Sequence, residues 1–179
     1  MRPIRCIAAF MLCLVVAAPL LPQKEKREPL TETQIDQIAE AGVDPNARVD
    51  LYAKFLNEHA EVIKGLTNRA KSPARSLRLD TELQNITALM DELGSNLDTY
   101  SDRHADIRKS LKPLTETAQR WVAILRALAG EPPFDLSRKE AIESGEELAD
   151  QAQRLLREQT DYFNLHKDEA GQDRAEPKP

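Results

Sequence analysis

Seam positions along 73–129 recur in alternating steps of four and three: Leu79, Leu83, Ile86, Met90, Leu93, Leu97, Tyr100, His104, Ile107, Leu111, Leu114, Ala118, Trp121, Leu125 and Leu128. That heptad stripe belongs to a helix burying one narrow face against other helices. Its phase never slips, so the spacing predicts one continuous helix over 73–129, kinked where Pro113 removes a hydrogen bond and crowds the preceding turn. A helix of those 57 residues is about 85 Å long. The alternative is a break near Ser101, which leaves four helices of similar length and a self-sufficient bundle.

Shorter elements flank this seam. Thr31, three residues before Gln34, is a capping box opening a short helix that carries Ile35 and Ile38 and stops at Gly42. Asp44-Pro45 pairs an acidic cap with proline at the first helical position. The helix it opens, running to about Ala70, places Tyr52, Phe55, Leu56, His59, Val62, Ile63 and Leu66 on one face. Ser72-Pro73 repeats the device so soon that the next helix must fold back antiparallel. After the stop at Gly130 to Pro133, Ser137 and Glu140 form a further capping box for a last helix over 138–166, with Ala141, Gly145, Leu148, Ala152, Leu155, Gln159 and Tyr162 on its seam. The fold class is therefore all-α: an elongated antiparallel helical bundle or coiled coil built on the long central helix. In domain terms, 23–29 is a flexible spacer, 30–167 the helical domain and 168–179 a disordered tail.

Composition agrees, because 31% charged against 4% aromatic residues is the balance of solvated helices with Leu/Ala seams. The N-terminus adds a compartment. Arg2 and Arg5 precede an uncharged run over 6–21, then polar residues, which reads as a signal peptide over 1–22 and an exported, periplasmic or secreted protein. The alternative is an uncleaved membrane anchor, since 4–21 is 18 residues long with Arg5 its one charge, and spanning takes about 17–25. Cleavage removes Cys6 and Cys13, so the mature chain has no cysteine and rests on helix packing. It also removes Arg2 and Arg5, taking the net charge from -5 to about -7, a poor match for nucleic acid or anionic membrane.

Candidate chemistry is sparse. A bundle metal site needs Glu three residues before His, but Leu56, Ser101 and Phe163 stand there for His59, His104 and His166. His59 and His104 on seams read as hydrogen-bonded core histidines, with a weak site only if they meet across helices. No nucleophile elbow, phosphate loop or zinc-protease pair occurs. Asp91-Glu92 and Glu146-Glu147 read as solvated faces, Trp121 as core, and Arg108, Lys109 and Lys112 as too short a basic run for phosphate. Asn85-Ile86-Thr87 has the form of a glycosylation acceptor but falls inside a helix. We expect no catalytic, cofactor-binding or metal-binding residues.

Leu30-Thr31-Glu32-Thr33-Gln34 resembles the Leu-Thr-x-x-Gln pattern of the periplasmic LTxxQ-motif family, all-helical stress-response proteins that act as chaperones or sensor modulators. The resemblance covers those five residues; more broadly the chain looks like other exported bacterial helical proteins. It implies a chaperone or stress-sensor modulator binding unfolded clients. The seams instead carry mostly two apolar residues per heptad, which suits one defined helical partner. The expectation is a non-enzymatic interaction or structural module of the cell envelope, binding a protein partner or forming a homodimer through apolar area left over at the seam, disrupted by Leu97→Asp or Ile107→Asp.

Overall fold

The computed structural model describes residues 29–171. The expected signal peptide over 1–22 and most of the expected spacer lie outside the described residues, as does 172–179. Among the described residues 79% are helical and none forms a strand, so the chain is all-α. The helices are α1 (Glu32–Glu40), α2 (Pro45–Thr67), α3 (Pro73–Asp102), α4 (Arg108–Ala127) and α5 (Asp135–Leu165).

Three helix starts follow the capping signals. The Thr31 hydroxyl accepts the Gln34 N–H at 3.3 Å while Gln34 Oε1 accepts the Thr31 N–H at 2.9 Å, which closes the capping box. Asp44 Oδ1 accepts from the N–H groups of Asn46 and Ala47, with Pro45 at the first helical position. Ser72 Oγ accepts from Arg75 N–H, again with proline following. At α5 the expectation fails: the helix begins at Asp135, and Ser137 lies inside its first turn, donating to Asp80 Oδ1 at 2.6 Å. A tertiary acceptor on α3 displaces the local cap.

The central helix is not continuous. It breaks over 103–107, and α4 then runs unbroken through Pro113. Two backbone bonds end α3: His104 N–H to Ser101 C=O and Ala105 N–H to Tyr100 C=O. They define a Schellman motif, with His104 at the left-handed position, φ 53°, where glycine usually stands. Histidine is among the few non-glycine residues that enter this region with any frequency. Tyr100 and Ala105, which bracket the motif, are both buried, so the hydrophobic contact that accompanies such a cap is present.

The break changes the architecture. α2 packs on α3 and α4, and α5 packs on α3 and α4, while α3 and α4 share no face. The segment 103–107 therefore crosses the end of a four-helix bundle diagonally. Hydrogen bonds give the directions. Asp80 with Ser137, Asp91 with Ser144 and Asp98 with Gln151 rise together, so α3 and α5 are parallel. Asn46 with Ser110 and Asn57 with Trp121 make α2 and α4 parallel likewise. Tyr52 with Glu92 and His59 with Glu82 run in opposite senses, so α2 and α3 are antiparallel. The chain-adjacent pairs α2–α3 and α4–α5 are thus antiparallel, and the pairs α3–α5 and α2–α4 are parallel.

Within this ring the seam is consumed. Leu79, Leu83, Ile86, Leu93, Leu97, Ile107, Leu111 and Leu125 are all 0% exposed, and one apolar cluster joins all five helices through Ile38 of α1. The apolar strip expected to be left over for a partner is covered by the chain itself. Leu97→Asp and Ile107→Asp would place a charge in this core, and so would unfold the protein instead of separating copies.

Candidate functional site

Polar side chains that reach the interior mostly tie helices together. Gln159, 6% exposed on α5, grips the crossover at two points: its Oε1 accepts the Ile107 N–H at 3.0 Å and its Nε2 donates to Ala105 C=O at 2.9 Å. Asn46 on α2 does the same from the other side, donating to Asp106 C=O and accepting from Ser110 N–H. Two side-chain amides so satisfy a non-helical segment in which Ala105 and Ile107 are buried and the backbone groups have no helical partners. Asp106 adds a short ion pair to Arg108, 2.7 Å, and accepts the Gly171 N–H at 2.9 Å. The Arg108 guanidinium holds the Asp106 carboxyl below the usual carboxylate range. The start of the stretch expected as a tail, from Asp168, turns back to make that Gly171 bond.

The histidines are not brought together. His59 Nδ1 lies 2.7 Å from Glu82 Oε2 between α2 and α3, half-way along the bundle. His104 is exposed at the crossover, so it is not the core histidine its seam position implied. It stacks on Tyr162 at 4.7 Å with the planes 5° apart, and His166 stacks on Tyr162 at 4.2 Å. A tyrosine ring flanked by two imidazoles was not legible from spacing, because His104 reaches it only through the left-handed turn. Among the described residues no group of three His, Cys, Asp or Glu side chains is placed to hold a metal ion.

Other singled-out residues have structural partners. Trp121 is 1% exposed and donates to Asn57 Oδ1 at 2.7 Å. Glu92 accepts the Tyr52 hydroxyl at 2.6 Å, and burial together with that carboxylate pushes the phenol well above the ordinary tyrosine range. Asp91 takes a bond from Ser144, and Glu146 pairs with Arg126. Arg108 is committed to Asp106 and to the Phe163 ring, 4.6 Å away, while Lys109 and Lys112 are exposed. Asn85 lies within α3. At the opposite end from the crossover, Arg75 is 8% exposed, donates to Leu66 C=O and pairs with Glu131 at 2.9 Å, which locks the last turn of α2 to the α4–α5 connection.

The outer surface offers two open hollows. One, about 500 Å³, lies between α2 and α4, with Ala53, Pro113 and Thr117 among its lining. The other, also about 500 Å³, lies where α3 begins and includes Ser72, Pro73, Leu77, Asp80 and Pro133. Leu77, in the lining of the second, is 69% exposed, and Leu136, near the start of the parallel neighbour α5, is 70% exposed. Sequence periodicity missed this pair because both leucines fall off the heptad seam.

No family model, curated protein or solved structure matches the chain. Among the described residues no helix is long and apolar enough to cross a membrane.

Proposed function

We propose that the protein is an exported, non-enzymatic helical module that works by binding another protein of the cell envelope. One observation carries this reading: on a bundle that buries its apolar seam, Leu77 stands exposed in the lining of an open hollow, and Leu136 is exposed near the start of the neighbouring helix α5. Exposed apolar side chains clustered around a concavity are what a protein-binding surface offers. Export is supported by the basic-then-apolar N-terminus.

Photo-crosslinking in cells tests it. A photoreactive residue at position 77 or 136 should give one discrete adduct, absent when the label stands at Glu143 on the exposed side of α5 and lost when Leu136→Glu is combined with the label at 77. A diffuse ladder of adducts, together with substoichiometric suppression of a model client's aggregation, would replace this reading with the chaperone one. An intact N-terminus recovered in the membrane fraction would replace free export with anchoring.

A further inference from the structure

We propose that the protein forms a domain-swapped dimer in which the 103–107 crossover straightens into helix and each chain's α4 and α5 complete the bundle of the other. The partner is a second copy of this chain, and the hinge is the segment where the long seam is interrupted. This proposal is independent of the end surface at Leu77 and Leu136.

Four observations converge on the hinge. The heptad phase runs through it unslipped, so straightening puts Tyr100, His104 and Ile107 on the same stripe as Leu97 and Leu111. No glycine or proline lies between Gly94 and Pro113, so the hinge contains neither of the two strongest helix breakers. His104 is held at φ 53°, a conformation that is unfavourable for a residue with a Cβ and is relieved when the turn becomes helical. Finally, α3 and α4 share no face. Separating them end to end therefore breaks no packing between them: α2 stays on α3 and α4 stays on α5 within one chain, and the α2–α4 and α3–α5 interfaces re-form between chains.

Opposing this are the bonds that exist only in the closed crossover: the two-point clamp by Gln159, the Asn46 bond to Asp106 C=O and the stack of His104 on Tyr162. The closed monomer and the swapped dimer thus differ mainly at the hinge, and protein concentration decides between them by mass action. The opened α3–α4 helix is about 85 Å long, the rod that the seam's spacing describes.

The test compares His104→Ala with His104→Gly in the purified protein, unfolded in denaturant and refolded over a range of concentrations, with light scattering as the readout. Both substitutions lose the stack on Tyr162, so they differ only in backbone preference: glycine enters the left-handed turn freely and weakens helix, and alanine does the reverse. With two hinges per dimer, the dimerisation constant of His104→Ala should exceed that of His104→Gly on the order of tenfold or more. The swap itself is read from Lys71 and Glu131, 3.6 Å apart and on opposite sides of the hinge in sequence. In dimers refolded from an equal mix of heavy- and light-isotope chains, about half of the carbodiimide links between Lys71 and Glu131 should join heavy to light, the share set by random pairing. Equal dimer content in the two variants, no dimer from His104→Ala at the highest concentration, or a dimer whose Lys71–Glu131 links stay within one isotope would overturn the proposal.

Discussion

Single side chains in this bundle carry effects out of proportion to their number, and Tyr52 is the clearest. It is 2% exposed, its hydroxyl donates to Glu92, and burial favours its neutral form in the folded state. A group whose folded pKa is raised contributes stability that is fully present below its unfolded value, about 10 for tyrosine, and lost as pH rises beyond it. The protein should therefore lose stability steeply above about pH 10, and urea titrations at neutral and alkaline pH should show a shallower loss for Tyr52→Phe. An identical slope in the two proteins would remove the argument. Asp106 has the opposite sign: its carboxyl is held low by Arg108, so its contribution is present above the ordinary aspartate range and fades in acid.

At the scale of elements, the crossover decides how the helices are arranged. Gln159→Leu removes the partners of two buried backbone groups, the Ile107 N–H and the Ala105 C=O. At roughly 1–3 kcal/mol for each unsatisfied group, it should destabilise the fold by about 2–6 kcal/mol in chemical denaturation. A change below about 0.5 kcal/mol would mean that water replaces the amide at no cost. This clamp also explains what the chain pattern concealed. Helix starts at Thr31, Asp44 and Ser72 were legible because their hydrogen bonds close within three residues. The end of α3 was legible only as the alternative break near Ser101, because its left-handed position is held by a histidine and the segment beyond it is satisfied by Asn46 and Gln159, 60 and 52 or more residues away. The heptad phase survived the break because Tyr100 and Ile107, on either side of it, are both drawn into the core.

For the whole molecule, stability is unevenly distributed. α2 through α5 enclose a common core, whereas α1 rests on α2 alone, with Ile38 its one buried residue and Ile35 46% exposed. The α1 attachment also leaves Gln37 Oε1 and Arg48 Nε buried without hydrogen-bond partners. Local opening draws on regions of few buried apolar contacts. Hydrogen exchange should accordingly show α1 amides unprotected well before those of α3, and Ile38→Ala should speed exchange in α1 while leaving the unfolding of the rest within about 1 kcal/mol of the parent. Protection of α1 equal to that of α3 would show instead that the chain unfolds as one unit.

What the sequence by itself determined is the helical class, three of the helix starts and the residues of the buried stripe, since each rests on contacts between near neighbours or on a period that one helix face imposes. Tertiary structure alone decided that the long seam breaks instead of running on, that its two halves lie on a diagonal with parallel neighbours, that Ser137 bonds Asp80 instead of capping its own helix, and that two imidazoles flank Tyr162. The physical reason is common to all four. A heptad stripe states that a face is buried but not what buries it, and hydrogen bonds spanning 50 or more residues, such as those of Ser137 and Gln159, leave no mark in local spacing.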